Sequence, residues 1–337
     1  MAIRNDDVLT RSVLALALAC VPGSCVPAAT GADREATASP VAATSATTVV
    51  AGMASTAPGA APAPSQPVPS APVAAAAVTP AIQLSAAAGE QGALLSGTVT
   101  PADGTLTLDG EPIAVASDGR FIIGFDRDAT GTHVLRLDPG DGRPIVERSL
   151  PVMPRAWDIQ NVDAPVRGGA SSDAEFNRRR PAEIAQMVEA RARVVESDGW
   201  RQHFIWPARG RISGVFGSQR IYRGTPGSYH NGVDIAAASG TPYVAPADGV
   251  VILAASEPFT LEGYLLMIDH GHGLSSVFLH SSRLDVHTGD VVRQGQQLGA
   301  VGMTGRATGP HLHWAMRWNG QKIDAQRLAG PMTAASR

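Results

Sequence analysis

The sequence predicts a mainly β chain, on three observations. From about residue 204 onward helical periodicity disappears and Gly punctuates short apolar runs such as Gly249-Val250-Val251-Ile252-Leu253, Leu265-Leu266-Met267-Ile268 and Ser276-Val277-Phe278-Leu279, which predicts an antiparallel β unit. Upstream, alternating runs such as Thr105-Leu106-Thr107-Leu108 and His133-Val134-Leu135-Arg136-Leu137 are separated by Asp-Gly pairs at 103, 109, 118 and 141. Between these regions only residues 181–198 place apolar side chains at helical spacing.

Taken in order, residues 1–28 are expected to be an export signal. Arg4 and Arg11 precede the apolar run from Val13 to Val21, which is too short to span a bilayer, and Val26-Pro27-Ala28 offers a small-residue cleavage site. No transmembrane helix is therefore expected in the mature form. Cys20 and Cys25, the two cysteines, lie within this segment, so cleavage leaves neither a disulfide framework nor a thiolate metal site. The alternative makes Cys20 or Cys25 a lipid anchor.

Residues 29–83 are almost wholly Ala, Pro, Thr, Ser, Val and Gly, which bury too little area to offset chain entropy, and are expected to be a disordered spacer. Residues 84–155, with their short strands and turns, predict a small immunoglobulin-like β-sandwich. A linker, residues 156–203, holds the expected helix: Pro181 stands at its first turn, Ile184, Met187, Val188, Val194 and Val195 form its apolar face, and Gly199 stops it. It would join the two β units. The second unit spans residues 204–328, and residues 329–337 form a tail.

A formal charge of -3 on a chain with 17% charged residues provides no basic stripe, so nucleic acid is excluded as a partner. Oligomeric state leaves no trace in the sequence. The histidines are more telling, since seven of nine fall between His230 and His313.

His230-Asn231-Gly232-Val233-Asp234 contains Gly and a β-branched residue, so its spacing of four means extended backbone, on which His230 and Asp234 share a face. An imidazole beside a carboxylate is a partial shell for zinc, although a hydrogen-bonded surface pair explains this motif equally well in isolation. In Gly309-Pro310-His311-Leu312-His313-Trp314 the spacing of two again puts both histidines on one face, and adjacent buried imidazoles are costly without a metal or a carboxylate. His280 closes the run Val277-Phe278-Leu279 and by itself suggests nothing more than a structural histidine. His270 and His272 in a Gly-containing hairpin, and His133, His203 and His287 elsewhere, read as structural or solvent-facing.

Together these motifs, with Gly249-Val250-Val251, Ile268-Asp269-His270-Gly271 and Gly289-Asp290-Val291-Val292-Arg293-Gln294-Gly295-Gln296, resemble the lysostaphin-like, or LytM-type, zinc endopeptidases that cut peptidoglycan peptides. The resemblance covers residues 204–328. It implies an antiparallel sheet with a groove, of barrel-sandwich hybrid type, one Zn2+ held by His230, Asp234 and His313, and catalytic roles for His280 and His311. Phe278 stands where the family commonly has tyrosine, and Ser281 where it has leucine; neither change removes a ligand or base. The stretches Phe125-Asp126-Arg127-Asp128 and Gly217-Ser218-Gln219-Arg220 resemble Gram-negative members, which implies the periplasm, peptidoglycan stem peptides as substrate, and cell-wall or division-complex proteins as further partners.

Three protein ligands leave a position open for water, as in catalytic zinc sites. With no HExxH glutamate, proton transfer falls to His280 or His311, either of which can act near neutral pH. Two other functions compete. Zinc-free family members act as regulators of other wall hydrolases, but that class lacks the ligands, and all are present here. The Gly289–Gln296 hairpin resembles biotinyl and lipoyl carriers, which need a hairpin lysine; Lys322 is the single lysine of this chain.

Overall fold

The computed structural model describes residues 78–165 and 174–332; the expected export signal, most of the spacer and residues 333–337 of the tail lie outside the described residues. Among the described residues the chain is mainly β, in largely antiparallel sheets, as the turn-punctuated apolar runs predict.

The first β unit holds two sheets. Ala81–Leu84, Leu94–Thr100 and Arg120–Gly124 form one, and Gly89–Glu90, Val146–Met153, Thr132–Asp138, Thr105–Leu108 and Glu111–Pro112, in that spatial order, form the other. Alternate residues of these strands, among them Leu106, Phe121, Ile123, Leu135, Leu137 and Leu150, are buried together, the period-two burial expected of strands with one face inward. Gly119 shows what the Asp-Gly turns require: its φ is +82° and a Cβ there would lie 2.4 Å from Val99 O.

The second unit is built on an eight-stranded antiparallel sheet in the order Arg211–Gly214, Val233–Ala236, His311–Trp318, Leu274–Ser281, Tyr264–Asp269, Gly249–Ala254, Val291–Val292, with Gln321–Ile323 paired as a hairpin to His311–Trp318. Most positions of its central strands are buried because both faces are covered. Leu266, Ile268, Phe278, Trp314 and Met316 face the main core, whereas Leu265, Met267, Val277 and Ala315 face a second cluster that also contains Met187 and Ala190 of the helix. Burying a side chain such as Met187 contributes about 1.5–3 kcal/mol, which fixes the helix on this face.

That helix runs Ala174–Arg191, several residues earlier at both ends than the periodicity predicts, with Pro181 inside it. In the chain it lies between the β units, and its buried residues pack on the outer face of the large sheet. The chain leaves the helix after Arg191, and farther on its backbone is used elsewhere: Trp200 N donates to His270 O, and a Cβ on Gly199 would collide with Asp248 O. The two β units instead meet directly. Their apolar residues form one cluster, a Cβ on Gly124 would lie 2.7 Å from Ile323, and Arg155 bonds to the buried Asp324 carboxylate at 2.6 Å.

His270 is structural, as its hairpin position suggests. It is fully buried; its Nδ1–H donates to Asp248 O at 2.7 Å, so Nε2 accepts from Ser276 Oγ at 2.8 Å. Burial pushes its pKa down to about 4. The unfolded chain binds this proton below its ordinary value of about 6.5 while the native fold resists until about 4, so the stabilisation is complete above pH 6.5 and is lost as pH falls toward 4. The shift corresponds to about 3 kcal/mol. Denaturant unfolding should therefore show the stability gap between the wild type and His270→Phe closing by about that amount between pH 7.5 and pH 4. A gap independent of pH would contradict the assignment.

Candidate metal centre

Strand register assembles the centre of the site. Asp234 lies opposite His313 and Ala236 opposite His311 on the adjoining strands Val233–Ala236 and His311–Trp318, so Asp234, His311 and His313 emerge on one face while Leu312 and Trp314 enter the core. This is the face that the helix covers farther along the sheet. The site occupies the end the helix leaves bare.

His230 arrives differently. It precedes the strand, in irregular backbone, so strand alternation does not account for its meeting Asp234. Its backbone is tied instead to the turn at Gly217: Gly217 N donates to His230 O and His230 N donates to Ser218 O, each at 2.8 Å. Its ring is aimed by Nδ1–H donating to Val215 O at 3.1 Å, which turns Nε2 toward Asp234 and His313.

His280 breaks alternation as well. Phe278, two residues earlier, is in the main core, so parity would send His280 there too; its φ of +66° turns the ring onto the site face. A left-handed histidine stores roughly 1–2 kcal/mol of strain. Two bonds hold it: His280 N to Glu262 O, and Nδ1–H to Thr304 O, both 2.8 Å. The ring lies 4.9 Å from that of His311, whose own Nδ1–H donates to Gly309 O. Both histidines thus keep Nε2 free as an acceptor.

Three atoms converge: His230 Nε2, His313 Nδ1 and Asp234 Oδ1, with separations of 3.0, 2.8 and 3.1 Å. Ligands on a tetrahedral zinc at about 2.0–2.1 Å lie about 3.3 Å apart, close to this spacing. Lone pairs this near one another repel unless a cation or proton lies among them, and the local charges respond accordingly. Burial opposes ionisation of Asp234, but hydrogen bonds from His230 and His313 hold its carboxyl well below the usual carboxylate range. Burial likewise opposes charging of His230, yet the bond to Asp234 raises it overall; burial lowers His313 and His280. Room is kept by two glycines, since a Cβ on Gly214 would lie 2.5 Å from Asp234 Oδ2 and one on Gly232 2.7 Å from His313 Nε2. Two imidazoles and a carboxylate in a cradle cleared of side chains fit a zinc ion.

The centre opens into a groove of about 850 Å³. One wall carries Arg211 and Arg220; Gln160 comes from, and Asp158 immediately precedes, the linker strand Ile159–Val162, which pairs in parallel with Gln219–Tyr222. Sequence reading missed this strand, whose four residues carry no alternation strong enough to mark it, and missed Gly214 and Thr304. The remaining histidines stand apart: His272 stacks on Trp200 at 4.0 Å, His133 bonds Asp109 at 2.6 Å, and His287 is exposed.

The model of peptidase family M23 matches residues 228–325. Peptidoglycan DD-endopeptidase ShyA of Vibrio cholerae is 35% identical over 135 residues, 40% of this chain and 31% of that protein. The DD-carboxypeptidase/endopeptidase Mpg of Neisseria meningitidis is 40% identical over 125 residues, 36% of this chain and 27% of that protein. The match thus spans about a third or less of these curated relatives. A crystal structure from Pseudomonas aeruginosa described as a peptidase M23 aligns with a TM-score of 0.55 and 26% identity, over 71% of this chain and 94% of that one, so the likeness reaches well beyond residues 228–325. Residues 228–325 therefore form a domain of peptidase family M23.

Proposed function

We propose that the chain is an exported zinc endopeptidase that hydrolyses peptide cross-links of peptidoglycan in the periplasm of a Gram-negative bacterium, with D-alanyl to diaminopimelate bonds as target. The observation carrying this reading is the convergence of His230 Nε2, Asp234 Oδ1 and His313 Nδ1 within 3.1 Å of one another, beside two histidines with open Nε2 atoms. The names of the relatives in Vibrio and Neisseria support the substrate class.

His230, Asp234 and His313 would hold the ion. Zinc bound there supplies Lewis acidity, which polarises a peptide carbonyl and acidifies water. The remaining work belongs to the chain. His280, kept neutral by burial and fixed through Thr304 O, accepts the proton of the attacking water at Nε2. His280 then passes that proton to the leaving amine, while His311, fixed through Gly309 O, faces the same space with Nε2 open to orient the water. The groove holds the stem peptide in extended form, and Arg211 and Arg220 give its wall a positive charge suited to peptides rich in carboxylates.

Purified full-length protein should contain one zinc per chain and release new amino groups from cross-linked sacculi. Protein replete with zinc that releases none would rule out this substrate class. The regulator reading finds no support in the geometry, since all five residues are present and converge.

A further inference from the structure

The Phe125–Asp128 and Gly217–Arg220 stretches are bonded to each other, and the contact lies directly behind His230. Arg127 belongs to the first β unit and is buried at the junction with the second. Its Nε donates to Gly217 O at 2.9 Å and its Nη2 to Gln219 Oε1 at 3.1 Å, and its remaining Nη1 pairs with Asp128. The guanidinium lies between two aromatic rings, 5.2 Å from Trp157 and 4.8 Å from Tyr229. Trp157 rests against Gly217, where a Cβ would come within 2.1 Å of its ring, and Gly217 adopts a φ of +80°. Tyr229 is held in turn, donating to Asp126 Oδ1 at 2.7 Å and accepting from Lys322 Nζ at 2.9 Å.

Each of these contacts ends on the loop that places His230. Gly217, whose carbonyl Arg127 grips, donates its N–H to His230 O; Ser218 accepts from His230 N; Val215, at the start of the same turn, fixes the ring through Nδ1; Tyr229 is the residue before His230. None of the other proposed ligands depends on this junction, because Asp234 and His313 are set by strand pairing within the M23 sheet.

We infer that Arg127 is a positioning residue for the metal centre: through Gly217 O and Gln219 it fixes the turn that aims His230 Nε2 at Asp234 and His313, so that the first β unit sets the metal affinity of the second. This inference rests on the zinc reading of the site. Removing the guanidinium leaves Gly217 O and Gln219 Oε1 without their donor at the junction, and the freed turn lets the His230 ring swing. Lysine cannot replace it, because one ammonium does not span both acceptors with the geometry of the fork.

The test uses the full chain. Zinc affinity is measured by competition with a chromogenic chelator, and the cobalt-substituted protein reports ligand geometry in its visible spectrum. Arg127→Ala should bind zinc about 10- to 100-fold more weakly, the usual effect of losing an orienting contact, and should show an altered cobalt spectrum. Arg327→Ala, which removes the pair with Glu90 across the same two β units, should lower the melting temperature without changing zinc affinity or the cobalt spectrum. If Arg127→Ala binds zinc as the wild type does, or if Arg327→Ala weakens zinc equally, Arg127 is merely a stabilising contact and the inference is overturned. Should Arg127→Ala not fold, Arg127→Lys decides: weakened zinc binding in a folded protein supports the inference, and unchanged binding overturns it. A wild-type chain that takes up no zinc would overturn the zinc reading itself and this inference with it.

Discussion

His313→Ala is expected to abolish stoichiometric zinc binding and reduce hydrolysis of sacculi to background. Nδ1 of His313 is 2.8 Å from Asp234 Oδ1 and 3.1 Å from His230 Nε2, so its loss leaves two donors where three converge. A zinc site with two protein donors is below the three that catalytic sites retain, and the loss in affinity should exceed the roughly 10- to 100-fold cost of removing an outer contact. Folding should survive. Neighbouring Leu312 and Trp314 anchor the strand in the main core, and the mutated position faces the groove end of the opposite surface. Metal analysis after gel filtration, with a melting curve beside it, checks both statements; full zinc occupancy in a folded His313→Ala would remove His313 from the ligand set.

His280→Ala should behave in the opposite way, keeping zinc while losing about 10²- to 10⁴-fold in turnover, the usual contribution of a positioned acid–base group. Its ring centre is 6.4 Å from that of His313, and its own bonds run to Thr304 and Glu262 rather than to the ligands. A second variant separates its chemistry from its backbone. Glycine tolerates a φ of +66°, so His280→Gly should be as inactive as His280→Ala yet more stable by about 1 kcal/mol, because the left-handed strain is relieved. Equal turnover for His280→Ala and wild type would move the proton transfer to His311.

The residues of the site differ in how visible they are before folding. Asp234, His311 and His313 follow from strand parity, a local rule that the register obeys. The same rule fails for His230, which a turn at Gly217 carries to the site, and for His280, which alternation assigns to the core and a left-handed backbone returns. Resemblance to a family located both, because a conserved pattern of residue types records the outcome of a fold without its geometry. Arg127 and the strand Ile159–Val162 meet partners 90 and 60 residues away, as Gly217 and Gln219 do, and no local periodicity encodes such pairings. The mainly β class was legible since it rests on short apolar runs and the turn signals between them, both local in the chain. That both β units would share one core was not, since nothing in either stretch marks the surface it turns toward the other.

The parallel pairing of Ile159–Val162 with Gln219–Tyr222 also governs how the protein can be divided. In the three-stranded sheet of the groove wall, Gln219–Tyr222 is the middle strand, flanked by Thr225–Pro226 and by the linker. Trimming the chain to residues 204–328 strips one flank and bares a row of backbone donors and acceptors next to the glycine that Trp157 covers. An uncovered edge recruits another strand, and in concentrated solution the nearest one belongs to a second trimmed molecule. Inactivity of such a fragment would then reflect self-association, and the smallest faithful unit begins at Ala81, ahead of the boundary the family match suggests.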